Sequence, residues 1–274
     1  QISNQGYAWG YLGGGTLFLI NALMFLYWDK LGLQSFADAI KISFIMVSIW
    51  WFAFMLPIRR NYKEDILYHK KTFLINESFK NILTTLRSIS QYRNVTLFLI
   101  AFFLFIDGAH TVIYLAADFA LNVGLKANDV IPALILVQFV AFPATLLWGF
   151  IADKYGDKPV LFITIIFYIF IIFFSTTLSS PFEFYILAIL VGGVQGGIQG
   201  SSRSLYGKII PPEKAGEFFG IYNVLGRAGA IFGPLMVGSL LALYGDVRIS
   251  LLPIAFLFIL GGLVLLKVKE SNEI

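Results

Sequence analysis

The sequence predicts an all-α integral membrane protein with eight membrane-spanning helices. Of its 274 residues, 58% are hydrophobic and only 13% are charged, whereas a soluble domain has about 25% charged residues. The mean hydropathy is +0.80, and the apolar residues form continuous runs of about 20, the length that a helix needs to cross a bilayer. A transmembrane β-barrel would show short segments of alternating polarity instead. A soluble domain is excluded because so few charges could not cover its surface.

The apolar runs are predicted spans one to eight, in chain order. They cover residues 6–27, 36–56, 95–118, 130–152, 160–178, 182–202, 218–244 and 249–267. No basic segment or cleavage site precedes the first run, so we expect it to be a span and not a signal peptide. Because cysteine is absent, disulfides and thiolate metal sites are excluded.

The positive charges predict the orientation of the spans, because cytoplasmic loops are rich in Lys and Arg. With a cytoplasmic N-terminus, the cytoplasmic segments hold Arg59, Arg60, Lys63, Lys70, Lys71, Lys80, Arg87, Arg93, Lys154, Lys158, Arg203, Lys208, Lys214, Lys267 and Lys269. The opposite side holds only Lys30, Lys126 and Arg248. We therefore expect a multi-pass protein of the bacterial inner (plasma) membrane with a cytoplasmic C-terminus. The net charge of +4 then reflects topology and does not indicate nucleic-acid binding.

The longest connection divides the chain into three expected parts. Residues 1–57 would be the last two helices of an N-terminal six-helix half, 58–94 a basic cytoplasmic linker, and 95–274 a C-terminal six-helix half. Transporters are often built from two such halves, so we expect four further spans upstream. Within the linker, four apolar residues recur at helical spacing and predict an amphipathic helix on the cytoplasmic face, or else a solvated segment: Phe79, Ile82, Leu83 and Leu86.

The most specific motif, Gly-Phe-Ile-Ala-Asp-Lys-Tyr-Gly-Asp-Lys, begins at Gly149 in a predicted cytoplasmic turn. Gly149 allows close helix packing, and Asp153 can complement the partial positive charge of a neighbouring helix N-terminus. Gly156 permits a tight turn, while Lys154 and Lys158 face the anionic inner leaflet. The alternative is an ordinary charged turn.

This motif resembles the loop signature of the major facilitator superfamily, G-x-x-x-D-[RK]-x-G-[RK]-[RK]. One position departs, since Asp157 stands where a basic residue is usual. In the superfamily the signature follows the second span of each half. The resemblance therefore implies the major facilitator superfamily fold, with eight of twelve transmembrane helices present, family helices 5–12, in an N-terminally truncated chain.

Further motifs narrow the resemblance. They are Gly-Tyr-Ala-Trp-Gly-Tyr at 6–11, Asp-Gly-Ala-His-Thr at 107–111, Gln-Gly-Gly-Ile-Gln at 195–199 and Glu-Phe-Phe-Gly-Ile-Tyr-Asn at 217–223. Together they are similar to the autophagy-related protein 22-like transporters, also called the unknown major facilitator family. The resemblance implies a secondary active transporter of a small solute. Its eukaryotic member is a vacuolar amino-acid effluxer, which makes amino acid efflux a candidate activity.

Nine polar residues within the spans are the candidate substrate and proton pathway: Asp107, His110, Thr111, Tyr114, Gln138, Gln195, Gln199, Asn223 and Arg227. Intramembrane ionisable groups are costly and suggest function. The four in span three follow i, i+3, i+4 and i+7, which predicts the wall of a water-filled cavity. We expect Arg227 to be buried and paired with Asp107, binding the substrate or a coupling proton, because arginine suits a carboxylate. A structural ion pair is the alternative.

Glycines also recur at four-residue spacing in two spans. The stripes are Gly6, Gly10 and Gly14 in span one, and Gly192, Gly196 and Gly200 in span six. Small residues at this spacing let helices approach closely in lipid. Static packing and sliding of the helices both remain open.

Three classes of protein compete for this sequence. The first is a secondary transporter that moves a small solute by alternating access; transport driven by ATP within this chain is disfavoured, because no G-x-x-x-x-G-K-[ST] loop is present. A membrane enzyme would need clustered histidines and acids such as H-E-x-x-H, but the only histidines are His69 and His110. A non-transporting binding or scaffold protein is the remaining alternative. We expect no catalytic residue, metal or cofactor. The expected partners are a small-molecule solute and the lipid bilayer, with the proton as a candidate coupling ion. Oligomeric state stays open.

Overall fold

The computed structural model describes residues 1–61 and 89–270, and within these ranges the regular structure is helical. The helices are α1 (Ile2–Leu26), α2 (Phe36–Asn61), α3 (Arg93–Asn122), α4 (Ala127–Tyr155), α5 (Asp157–Thr176), α6 (Pro181–Ile209), α7 (Ala215–Tyr244), α8 (Val247–Ser250) and α9 (Leu252–Leu266). Eight helical segments of the described ranges are long and apolar enough to cross a membrane, α8 and α9 together forming the last. The prediction of an all-α membrane protein is confirmed. The amphipathic helix predicted around Ile82 lies outside the described residues.

Most helices extend a turn beyond the predicted spans, because charged residues at a membrane edge do not end a helix. Pro57 lies inside α2, which continues to Asn61. The eighth span is interrupted at Leu251, and Pro253 stands in the first turn of α9. A proline is tolerated there, since the first N–H groups of a helix have no partner within it.

Contacts divide the described residues into two compact units. The first unit contains the opening turns of α1, through Leu12, together with α3 to α9. In this unit α4 packs along α6, α3 packs against α7 and α9, and α5 packs against α6 and α9. Its core is rich in fully buried rings: Phe98, Phe105, Tyr168, Tyr206, Phe218 and Phe258.

The second unit contains α1 from Gly13 onward and α2. The rings of Phe25 and Phe36 pack 5.8 Å apart at the turn that joins the two helices. Along α2, large apolar side chains such as Trp51 and Phe52 are exposed, as suits a helix surface in contact with lipid. The three-part organisation into residues 1–57, 58–94 and 95–274 stays a prediction.

The glycine stripe of α6 lies in packed interfaces of the first unit. A Cβ added at Gly196 would overlap the side chain of Thr145 in α4, and one added at Gly200 would overlap the side-chain oxygen of Asn4 in α1. At Gly192 an added Cβ would lie 2.6 Å from the carbonyl oxygen of Val137. These glycines therefore allow the backbones of α1, α4 and α6 to approach closely.

The glycine stripe of α1 has a different environment. A Cβ added at Gly6, Gly10 or Gly14 would meet no atom within 4 Å in the part of the chain that the structure describes. Close packing was predicted for both stripes, and the described residues show it only for the stripe of α6.

Candidate functional site

The first unit contains a cavity of about 310 Å³. The helices around it are mostly apolar in sequence. Side chains and backbone from α1, α3, α6 and α7 line it: Tyr7, Phe102, Ile106, His110, Tyr114, Gln199, Tyr222, Asn223, Gly226, Arg227 and Ala230. Five of the nine predicted pathway residues are among them: His110, Tyr114, Gln199, Asn223 and Arg227. The structure therefore brings residues from three distant parts of the sequence to one polar surface.

Helical spacing presents the polar side chains of the cavity in pairs. On α3, His110 and Tyr114 are one turn apart, and their rings stack with centroids 5.7 Å apart. On α7, Asn223 and Arg227 are likewise one turn apart, and both line the cavity. Residues four positions apart share a helix face, so each helix contributes a pair of polar groups to the same surface.

The burial and the pairing of Arg227 differ from those predicted from the sequence. The side chain is exposed on the cavity wall, whereas burial was predicted. It forms no ion pair with Asp107 or with any other described residue. The reason lies in the helix geometry. The face of α7 that meets Asp107 contains Gly229. Arg227 is two residues before Gly229, and a step of two residues turns the helix by about 200°, so Arg227 points away from Asp107.

Asp107 is buried in the interface between α3 and α7. Its Oδ1 accepts a hydrogen bond of 3.1 Å from the backbone N–H of Gly233. Its Oδ2 has no hydrogen-bond partner among the described residues. Thr111, one turn along, donates to the carbonyl oxygen of Asp107 at 2.7 Å. The predicted single polar stripe is therefore wrong: Asp107 and Thr111 face α7, while His110 and Tyr114 face the cavity.

The two remaining predicted pathway residues do not line the cavity. Gln138 is half-buried on α4. Gln195 is buried on α6, and its Oε1 has no hydrogen-bond partner among the described residues. One turn away, Gln199 accepts a hydrogen bond of 2.8 Å from the Tyr11 hydroxyl. This bond connects α1 to the polar face of α6.

Three aromatic residues of the cavity wall were missed by sequence analysis: Tyr7, Phe102 and Tyr222. The rings of Phe102 and Tyr222 stack with centroids 4.2 Å apart and an interplanar angle of 20°. Tyr7 and Tyr222 lie in the quoted motifs at 6–11 and 217–223, which was the available signal. In a chain with 17% aromatic residues, however, position in a motif does not distinguish a cavity ring from a core ring.

The signature loop joins α4 to α5 and contacts the start of α1. Asp153 Oδ1 lies 3.0 Å from the backbone nitrogen of Gln1, next to the first residue of α1. The predicted complementarity of Asp153 to the positive end of a helix dipole stays a prediction. Gly149 packs against the buried Asn4, since an added Cβ would lie 3.1 Å from the Asn4 Cβ. Gly156 adopts a φ of 94°, which favours glycine.

The same loop carries an ion-pair network that sequence analysis missed. Asp157, the residue that departs from the superfamily signature, is buried and lies 2.8 Å from the Lys208 ammonium at the end of α6. Ser204 donates to the same carboxylate at 2.8 Å. Lys208 also lies 3.4 Å from Glu270, which accepts a hydrogen bond of 3.0 Å from the Asp157 backbone N–H. The acidic residue thus has a basic partner from another helix.

The other basic residues of the signature have separate positions. The Lys158 ammonium donates to the Leu266 carbonyl oxygen at 3.3 Å, and the Lys154 ammonium lies 5.1 Å from the ring centroid of Tyr155. Within residues 1–61 and 89–270, no group of three His, Cys, Asp or Glu side chains could hold a metal ion.

Comparison with known proteins identifies relatives along the whole chain. The family model described as "Vacuole effluxer Atg22 like" matches residues 1–273. The "Uncharacterized MFS-type transporter YxiO" of Bacillus subtilis is 31% identical over 273 residues, covering 99% of this chain and 64% of the relative. "Autophagy-related protein 22-1" of Penicillium rubens is 27% identical, covering 90% of this chain and 45% of the relative. A protein of the same name from Aspergillus niger is 25% identical, covering 95% and 45%.

Proposed function

Because the chain belongs to the family described as Vacuole effluxer Atg22 like, we propose that it forms the solute pathway of a secondary active transporter. Transport would proceed by alternating access, with the cavity between α1, α3, α6 and α7 as the binding surface. The observation that carries this proposal is a cavity with polar side chains from three helices in a protein with eight apolar, span-length helices. The chain spans about two thirds or less of the relatives' lengths, so transport is proposed for the complete protein.

The proposed direction is efflux, and the first solutes to test are amino acids. The family description names an effluxer, and arginine recognises carboxylates through a bidentate fork. Arg227 is exposed on the cavity wall and has no ion-pair partner among the described residues. It is therefore available to a carboxylate of the solute.

We propose Asp107 as the residue that carries a coupling proton. Its carboxyl group is buried in the interface between α3 and α7, and its neighbour along the chain, Ile106, lines the cavity. One oxygen accepts from Gly233 and the other has no partner among the described residues. An unpaired buried charge is costly, so protonation would make this carboxyl compatible with its surroundings. Asp107 is thus assigned to coupling, while the cavity residues are assigned to solute binding.

The membrane orientation that we propose places the signature loop and the C-terminus in the cytoplasm of a bacterial cell, at the inner membrane. Lys154, Lys158 and Lys208 cluster with Glu270 around one surface at this end of the first unit. Cytoplasmic membrane edges favour such lysines. We propose that the loop contacts change as the cavity opens and closes, and that residues 58–94 link the two halves.

Uptake into proteoliposomes tests the transport proposal directly. The complete protein is reconstituted, and accumulation of labelled amino acids is compared with that in empty liposomes, with and without an imposed proton gradient. We expect solute to enter faster than in empty liposomes and to accumulate when the gradient is applied. No entry of any solute in the screen would favour a non-transporting scaffold instead.

The variant Asp107→Asn separates coupling from binding. Asparagine keeps the size of the side chain and an oxygen that accepts from the Gly233 N–H, but it does not titrate. We expect accumulation driven by the proton gradient to fall at least about tenfold, while exchange of labelled for unlabelled solute continues. Thr111→Ser, one turn away in the same interface, is the matched control. Unchanged gradient-driven accumulation by Asp107→Asn would contradict the assignment.

A further inference from the structure

The start of α5 receives its helix cap from a distant part of the chain. Its N-cap residue is Gly156, which has no side chain to accept hydrogen bonds from the first turn. The carboxylate of Glu270 accepts them instead, at 3.0 Å from the backbone nitrogen of Asp157 and at 3.4 Å from that of Lys158. The next helix, α6, is capped by residues of its own first turn. A carboxylate at a helix N-terminus satisfies free N–H groups and complements the helix dipole.

The glycine at the start of α5 makes room for this cap. Gly156 has a φ of 94°, which favours glycine. A Cβ added there would also lie 2.8 Å from Oε2 of Glu270. Any other residue at this position would therefore meet both backbone strain and the capping carboxylate. The signature glycine and the acidic residue that follows the last helix are suited to each other.

Residues 267–270, here called the tail, follow α9 and hold the capping carboxylate in place. Val268 is fully buried in the core. The backbone of Lys269 exchanges two hydrogen bonds of 2.8 Å with the side-chain amide of Asn94, at the start of α3. The Lys208 ammonium at the end of α6 lies 3.4 Å from the capping carboxylate. The tail therefore joins the ends of α3, α5 and α6 at one side of the first unit.

The signature motif also contacts α1 beside the cavity. Gly149, its first residue, packs against the buried Asn4, and Tyr7, one turn further along α1, lines the cavity. The motif ends at Lys158, whose backbone N–H donates to Glu270. Contacts therefore run from the tail through the signature motif to the cavity wall, so the geometry of the loop and the position of α1 depend on each other.

We propose that the tail, through Glu270, is a positioning device for transport. The carboxylate caps α5 and fixes the signature loop, and the loop in turn sets the rate at which the cavity opens and closes. This inference rests on the proposed function, because it assigns a role within the same transport cycle. Glu270 is not one of the residues that line the cavity. Its removal should therefore slow the cycle and leave the affinity for the solute unchanged.

Hydrogen exchange at the start of α5 tests the cap. Exchange is measured by mass spectrometry on the complete purified protein in mixed micelles. We expect Glu270→Ala to raise exchange of the Asp157 and Lys158 amides at least about fivefold, the usual effect of a lost helix cap. Glu270→Gln should raise it less, because glutamine keeps an accepting oxygen. Lys269→Ala is the matched control, since Lys269 holds Asn94 through backbone atoms. Unchanged exchange in Glu270→Ala would overturn the proposal.

The variant Asn94→Ala tests whether the tail supports the cap. The Asn94 amide bonds to the backbone of Lys269 and not to α5, so its effect must reach α5 through the tail. We expect exchange of the Asp157 and Lys158 amides to rise at least about twofold, as for the loss of hydrogen bonds between neutral groups. If exchange at α5 stays at the wild-type rate, the tail does not hold Glu270 and the proposal fails.

Transport kinetics in proteoliposomes test the positioning role. Per folded transporter, Glu270→Ala should lower the maximal rate at least about threefold and leave KM within about twofold of the wild-type value, and Glu270→Gln should recover part of the rate. A rate equal to that of Lys269→Ala would overturn the inference while transport stands. If the wild type transports no solute but exchange rises in Glu270→Ala, the cap stands and the proposed function fails.

Discussion

The two glycine stripes of this protein share one sequence pattern and differ in what surrounds them. In α6, Gly196 and Gly200 lie where an added Cβ would overlap Thr145 and Asn4. In α1, Gly6 and Gly10 lie where an added Cβ would meet no described atom within 4 Å. The comparison teaches that a small-xxx-small pattern shows where a helix can be approached closely. It does not show whether another helix takes that position.

The position of each helix in the first unit explains the difference. Helix α6 packs along α4 and against α5, so its glycine face is enclosed by the cores of neighbouring helices. Helix α1 contributes only its opening turns to this unit, and these contact α4 and α6 through Asn4 and Tyr11. Gly6 and Gly10 face away from those contacts. Stability measurements on single substitutions can test this distinction.

The largest effect is expected for Gly196→Val. The new side chain would overlap Thr145 Cβ as well as its hydroxyl, so α4 and α6 must separate. Overpacking of a core typically costs about 1–3 kcal/mol and occasionally more, and we expect a loss above about 3 kcal/mol. Unfolding in mixed micelles measures it. The control is Gly193→Val, on the same helix but with open space around the Cβ. Equal losses for both variants would contradict the packing difference.

A smaller effect is expected for Gly200→Ala, because one flexible side chain is the main obstacle. The added methyl group would overlap the buried side chain of Asn4, and we expect a loss of about 1–3 kcal/mol. The double variant Gly200→Ala with Asn4→Ala should recover part of this loss, since residues in contact are energetically coupled. The free energies of unfolding of the two single variants and the double variant form the test. Strict additivity would show that Asn4 does not limit the packing.

The smallest effect, with the opposite sign, is expected for Gly10→Ala. Alanine loses less backbone conformational entropy than glycine when a helix forms, which favours it by about 0.5–1 kcal/mol. No described atom obstructs its methyl group. The same unfolding measurement should therefore give a slightly raised stability. A loss comparable to that of Gly200→Ala would show that another surface covers the α1 stripe in the assembled protein, and the comparison between the stripes would fail.

Sequence predicted the helices well because their signal is local. Continuous apolar runs of span length correspond to the observed helices within a turn at most ends, and the resemblance to the major facilitator superfamily agrees with the family match over residues 1–273. The function of single positions was harder to predict. Asp157 departed from the family signature, and only the structure shows its compensating partner Lys208, which is distant in sequence.

The candidate site was predicted in part, for a geometric reason. Helical periodicity places His110 and Tyr114 on one face, and this face lines the cavity. Periodicity alone also placed Asp107 and Thr111 on that face, because a stripe of i, i+3, i+4 and i+7 spans a wide arc of the helix. The packing of α7 against α3 divides this arc into a buried half and a cavity half.

By itself, the sequence determined the membrane class, the number and approximate limits of the helices, the family resemblance and five of the residues at the cavity. These properties depend on hydrophobicity and spacing along the chain, which are local. Only the tertiary structure decided that Arg227 has no ion-pair partner among the described residues, that Asp107 faces α7, and that one glycine stripe is packed while the other meets no described neighbour. These properties depend on which face of a helix meets which neighbour, and rotation of a helix about its axis is fixed by packing between helices.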